Sequence, residues 1–215
     1  HISPEMCNLF RAVSEAGGDM AKVDASAFPV LNMLNTRYFI FPLQGGKTMP
    51  IQNPYTLGNA WFVDKVQYVN NANEEIESLH KVMPAKVAVV DKKFAEQVKP
   101  VAVSDSLRFV KLVAYEPNDL KYEVSSEKGG VVVFSETYYP GWQAYIDGVE
   151  APHGRADYIL RAMNVPAGKH TVEFKFDPKS LHTTETIAFV ALGLLAMAVL
   201  LLLVLQGKAL WGKKG

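Results

Sequence analysis

Two hydrophobic patterns alternate along this chain. The clearest period-two stretch lies near its end, where Val172, Phe174 and Phe176 point one way and Thr171, Glu173 and Lys175 the other. That is a strand with one buried face. Upstream, Trp142, Ala144 and Ile146 alternate with Gln143 and Tyr145, and Asp147-Gly148 follows, a pair suited to a two-residue hairpin turn. Residues 107–115, 120–125, 131–136 and 158–164 add further strands. Gly129-Gly130 reads as a tight hairpin turn between two of these, and Val165-Pro166-Ala167-Gly168 as a type I turn. Six or seven short strands at this spacing predict an antiparallel β-sandwich, jelly-roll or immunoglobulin-like, over residues 104–181.

The first hundred residues mix helix and strand signals. Asp24 and Ser26 stand as N-caps for a short helix at 30–34, which Pro29 either confines to the later residues or enters in the first turn. Residues 38–41 read as a buried strand closed by Pro42 and Gly45-Gly46, and 61–69 as a second strand. An amphipathic helix is expected at 73–79 with Ile76 and Leu79 inward and Glu74, Glu75 and Glu77 on its solvated face. A strand at 86–90 and a short helix at 92–97 complete a small α/β lobe over residues 1–103. The expected fold class is therefore α+β: this lobe, then the sandwich.

The third pattern has no period. Residues 187–205 carry no charged or amide side chain. At the helical rise they extend about 28 Å, close to the ~30 Å hydrocarbon core of a bilayer. The run is apolar all round, so a surface helix does not account for it. It predicts one C-terminal transmembrane helix over 184–206. Lys208, Lys213 and Lys214, with Trp211 among them, follow as a basic tail over 207–215. Positive charge on that short flank puts the tail in the cytoplasm and the main body outside. Only about ten residues separate the last strand from the apolar run, which keeps the sandwich close to the bilayer surface. No leader precedes the body, so an outside location implies a longer parent chain.

Charge narrows the functional classes. Without the tail lysines and Glu185 the body holds 19 basic and 21 acidic side chains. This balance gives no support for nucleic-acid binding. Cys7 is the single cysteine, so no internal disulfide is available, and packing must carry stability. His80, His153, His170 and His182 lack ligand-type spacing, and neither a metal nor a cofactor is expected. Gly17-Gly18 and Gly45-Gly46 lack the context of a phosphate loop. No nucleophile–base constellation is legible.

The best candidate for a functional surface is the aromatic cluster Tyr138, Tyr139, Trp142 and Tyr145 around Pro140-Gly141. Flat rings stack on sugar faces and their polar tips bond hydroxyls. Asp147, Arg155, Asp157 and Arg161 lie nearby in sequence and suit directional contacts, so Tyr138, Tyr139, Trp142, Tyr145, Asp147, Arg155 and Arg161 form the candidate glycan-binding set. Alternation groups Trp142 with Ala144 and Ile146, so a packing role competes with sugar contact there.

Four strings carry a family resemblance: Leu31 to Ile40 (LNMLNTRYFI), Asn53 to Val63 (NPYTLGNAWFV), Glu136 to Gly148 (ETYYPGWQAYIDG) and Tyr158 to Phe174 (YILRAMNVPAGKHTVEF). In order and spacing they resemble the C-terminal end of the YfhO family of bacterial polytopic membrane proteins, of Bacteroidetes type. That family resembles GT-C glycosyltransferases, which take sugar from a polyprenyl-phosphate donor at the outer face of the membrane. Their catalytic acid lies in the first extracytoplasmic loop, far upstream of the matched region, so no catalytic residue is carried over. The resemblance implies a non-catalytic, extracytoplasmic accessory domain and last span of a lipid-linked-sugar-dependent glycosyltransferase in the bacterial inner membrane. Its implied partners are the bilayer, the parent's other spans, and a polyprenyl-phosphate sugar or envelope glycan. The alternative is a membrane-tethered carbohydrate-binding or structural envelope module.

Overall fold

The computed structural model describes residues 4–101 and 107–211, except for the side chains at 4, 44, 179, 180, 182 and 204–211. The expected lobe–sandwich boundary at 103–104 lies outside these residues, as do Lys213, Lys214 and the side chains of Lys208 and Trp211. The chain divides after Lys175 into two compact units.

The first unit opens with helix α1 (Pro4–Glu15), an element absent from the expected set. Its signal is the four-residue spacing of Leu9 and Val13, both buried. Gly17 and Gly18 end it in left-handed conformation, and Gly18 N–H returns to Val13 O at 2.9 Å. Two 3-10 turns follow, Met20–Lys22 and Ala25–Ala27, capped by Asp19 and Asp24. Asp24 thus caps a turn and Ser26 donates its N–H to it, so neither caps helix α2 (Pro29–Met33). That role falls to Glu5 of α1, whose carboxylate accepts the N–H groups of Val30 and Leu31 at 3.2 and 3.3 Å.

Strand β1 (Tyr38–Pro42) pairs with β2 (Thr48–Gln52) as an antiparallel ribbon. The expected buried strand is one-faced: Phe39 is buried while Tyr38 and Ile40 are exposed. The strand expected at 61–69 is two strands. β3 (Ala60–Val63) and β4 (Lys65–Val69) are separated at Asp64 and enter different sheets. β4, helix α3 (Ala72–Ser78) and β5 (Val87–Asp91) form a βαβ unit, with β4 and β5 parallel. A 3-10 turn, Lys92–Phe94, takes the place of the short helix expected at 92–97.

The remaining strands are β6 (Phe109–Glu116), β7 (Asp119–Ser126), β8 (Gly130–Thr137), β9 (Trp142–Ile146), β10 (Val149–Ala151), β11 (Gly154–Ala156), β12 (Leu160–Val165) and β13 (Gly168–Phe176). They form a five-stranded sheet, β10-β9-β13-β7-β6, and a four-stranded sheet, β11-β12-β8-β3. The fold is α+β with a sandwich of these sheets, and β3 comes from the first hundred residues. Asp147-Gly148 turns the β9–β10 hairpin as expected, with φ of 51° and 82°. Gly129-Gly130 does not join a hairpin, because β7 and β8 belong to opposite sheets. The pair carries the chain across the sandwich, as residues 166–167 do between β12 and β13. The two crossings touch: a Cβ on Gly129 would lie 2.7 Å from Val165 O.

The four-stranded sheet is a middle layer. Val132 and Phe134 of β8 face the sandwich interior with Tyr122, Val172 and Phe174, while Val131 and Val133 pack with Leu79, Val89 and Val90 of the βαβ unit. A strand covered on both faces reads as a continuous apolar run, which is why β8 shows no alternation. Rings of Tyr122, Phe134 and Phe174 meet edge-on, with centroids 4.8–6.3 Å apart. Leu9, Val13, Met20, Val23, Phe28 and Phe39 make a separate cluster.

The second unit is dominated by helix α4 (Lys179–Trp211), in which Thr183–Leu203 is long and apolar enough to cross a bilayer. None of that stretch is buried by protein, so its apolar side chains require another apolar environment.

Candidate functional site

The outward face of the five-stranded sheet carries an organised set of polar and charged side chains. Its anchor is the β9–β10 turn. Asp147 Oδ1 accepts Thr171 N–H at 2.8 Å, and Asp147 N–H donates to Thr171 O at 2.9 Å. Asp147 Oδ2 lies 2.7 Å from His170 Nδ1, and His170 Nε2 lies 3.0 Å from Ala167 O. Both imidazole nitrogens face oxygen acceptors, which favours the imidazolium. The hydrogen bond to Asp147, then that to Ala167, raises the His170 pKa; the same imidazole, then Thr171 N–H, lowers that of Asp147.

Beside this pair lies a trough of about 400 Å³ lined by Phe109, Glu123, Asp147, Lys169, His170 and Thr171, with Val124 opposite His170. Farther along the face, Glu173 bridges Lys121 at 2.6 Å and Lys175 at 3.0 Å, and Lys121 is the main cause of its lowered pKa. Tyr145 O–H donates to Gln143 Oε1 at 2.7 Å, and Lys175 Nζ stands 5.4 Å from the Tyr145 ring centroid. An exposed aromatic wall, carboxylates, an amine and a hydroxyl on a rigid sheet can bond a hydrated, hydroxyl-rich ligand. The same surface offers little to an apolar one.

The candidate set from sequence does not gather at one surface. Tyr145 and Asp147 lie on this face. Tyr139 is exposed in the loop before β9. Tyr138 packs against Phe94 and His153, with centroids 5.2 and 5.7 Å away. Arg161 is 2 % exposed and donates from Nε to Thr137 O at 2.9 Å. Its guanidinium lies 4.0 Å from the Trp142 ring centroid and 5.1 Å from that of Phe174. Trp142 thereby joins the sandwich interior, as its alternation indicated. Burial raises the Glu136 pKa against the opposing pull of Arg161. Burial, then Arg161, lowers that of His153 to about 4.

Arg155 belongs to a buried ionic cluster between α3, β5 and β11. Its Nη2 lies 2.5 Å from Glu75 Oε2 and 3.8 Å from Asp91 Oδ2. Glu75 also accepts Tyr158 N–H at 2.9 Å. Glu75 is fully buried, which corrects its expected place on the solvated helix face; Ile76, expected inward, is 42 % exposed. Leu79 carried the missed signal, since position 75 lies one helical turn before it on the same face. The trough residues Phe109, Glu123, Lys169 and Thr171 were also missed. Their shared face follows from pairing β6, β7 and β13, which no local pattern specifies. Among the described residues no three His, Cys, Asp or Glu side chains are grouped to hold a metal ion.

The architecture is that of a membrane protein whose β-rich α+β body carries one candidate span. Residues 95–188, from the end of the βαβ unit through β6–β13 into α4, match the family model described as bacterial membrane protein YfhO, and this stretch is similar to that family's region. None of the curated proteins matches the chain.

Proposed function

We propose that this chain is an extracytoplasmic accessory region, with one membrane span, of a many-spanning YfhO-type glycosyltransferase that uses lipid-linked sugars in the bacterial inner membrane. The body supplies acceptor-glycan contacts on its outer sheet face and no catalytic group, and the C-terminus is cytoplasmic. The observation that carries this reading is the family match running without a break from the sandwich into the apolar helix. The trough beside Asp147 and His170, with its Phe109 wall, supports the glycan contact.

Sidedness is tested through Cys7, the single and exposed cysteine. An impermeant maleimide added to spheroplasts is expected to label Cys7, and to miss Lys208→Cys in a Cys7→Ser background. The reverse pattern would place the body in the cytoplasm. For the acceptor site, Phe109→Ala and Glu123→Gln in the full-length parent are expected to raise the acceptor KM with little change in kcat. Unchanged acceptor kinetics in folded variants would remove the trough from the proposal.

A further inference from the structure

The first unit contains a second hollow, of about 450 Å³, far from the sheet face in sequence and opposite to it in chemistry. Buried Asn32 and Pro84 form its floor, and half-buried Pro29, Leu57 and Val82 its walls. The polar groups along it are already engaged. Asn32 Nδ2 donates to Ala25 O at 3.1 Å, and its Oδ1 accepts from Asn53 Nδ2 at 2.9 Å. Tyr55 O–H, also on the lining, donates to Met20 O at 3.0 Å. Such walls give a hydroxyl-rich ligand no partners and suit an apolar body, at a volume ordinary for small-molecule sites.

The rim has a definite charge. Lys81 and His80 are the basic side chains that line the hollow; no carboxylate lines it, and both rim residues are exposed. Glu5 stands behind His80, 3.5 Å from Nδ1, and is 4 % exposed. Its oxygens also accept the α2 N–H groups of Val30 and Leu31, so His80 shares this carboxylate with the backbone and Lys81 is the rim cation that the head group meets first. Met83 at the mouth is 53 % exposed, a flexible thioether able to adapt to a chain entering beside it. The candidate span Thr183–Leu203 places the protein at a source of amphiphiles.

We propose that this hollow binds a single-chain anionic amphiphile, its alkyl chain lying between Pro29, Leu57 and Val82 and its carboxylate or phosphate head held at the rim by Lys81 and His80. The site is separate from the glycan trough and stands or falls without it.

The test uses the full chain in nanodiscs of zwitterionic lipid. These are doped in turn with a diazirine-tagged fatty acid, a lysophosphatidic acid of the same tagged chain, and the matching alcohol. After irradiation and peptide mapping, the anionic probes are expected to label residues 79–86 and to be displaced by their untagged forms. Labelling by the carboxylate alone identifies free fatty acid as the source, and labelling by the phosphate alone a lipid headgroup. Lys81→Glu is expected to cut labelling by the anionic probes about fivefold, the loss of one exposed ion pair, and to spare the alcohol. Val82→Trp, which fills the hollow, is expected to cut labelling by all three. Labelling confined to α4, equal labelling by the alcohol, or indifference to Lys81→Glu would overturn the proposal. If Val82→Trp fails to fold, Lys81→Glu still decides, because its side chain is exposed.

Discussion

Asp157 and Val89 exchange two hydrogen bonds: Asp157 Oδ1 accepts Val89 N–H at 2.8 Å, and Asp157 N–H donates to Val89 O at 2.7 Å. The pair ties the turn after β11 to β5 and so holds the four-stranded sheet against the βαβ unit. Asp157 adopts φ of 50° to make this contact and is fully buried. Burial pushes its pKa up to about 7, opposed by the hydrogen bond from Val89 N–H and aided to a smaller extent by the nearby charge of Glu75. Asp91 and Arg155 complete the charged surroundings.

The sign of the resulting pH dependence is definite. A carboxyl with a raised folded-state pKa contributes its stability fully below its unfolded pKa near 3.8 and loses it as pH rises through about 7. Asp157→Asn keeps the acceptor oxygen and removes the titration. Melting temperatures of variant and parent, compared from pH 4 to 8, are expected to diverge in favour of the variant as pH rises. His153, depressed to about 4, imposes the opposite slope between pH 4 and 6.5, so the difference between the two proteins is the informative quantity. Parallel curves would show that Asp157 does not titrate in this window.

Arg161 has a different role, as the buried cation of the sandwich. Arg161→Ala is expected to destabilise by about 3 kcal/mol, because Glu136 and the Thr137 carbonyl lose a partner and two rings lose their packing. Arg161→Met retains the stem and is expected to cost less. Chemical denaturation followed by tryptophan fluorescence distinguishes them, and equal losses would mean that the charge and its hydrogen bond, not the packing of the stem, carry the stability.

Two glycines separate strain from collision. Gly148 has φ +82° with open space around it, so Gly148→Ala is expected to cost about 1 kcal/mol, the ordinary penalty of the left-handed region. Gly129 has φ +74° and an oxygen 2.7 Å from the Cβ position, so Gly129→Ala must also displace the Val165–Ala167 backbone. It is expected to lower the melting temperature by clearly more. Similar shifts for both would deny that the two sheet crossings are tightly packed.

The face of α3 can be read out in the same way. Glu75→Ala leaves Arg155 only the distant Asp91 and is expected to cost about 3 kcal/mol, while Ile76→Gln changes an exposed position and is expected to stay within about 0.5 kcal/mol. Reversed magnitudes would restore the face expected from hydrophobicity alone.

What could be read locally was read correctly where the physics is local. The alternation along β13, the Asp147-Gly148 hairpin and the apolar run of α4 depend on residues within one element or one turn. The sequence by itself therefore determined an α+β chain with a sandwich and a candidate span. The tertiary structure decided which sheet each strand joins, that β3 pairs with β8, and that Gly129-Gly130 crosses the sandwich. It also decided that Glu75 is buried, because Arg155 arrives from 80 residues away to compensate its charge. The candidate glycan set was scattered for the same reason. Period-two alternation specifies which side chains share a face of one strand, but only strand pairing brings the faces of β6, β7, β9 and β13 into one surface.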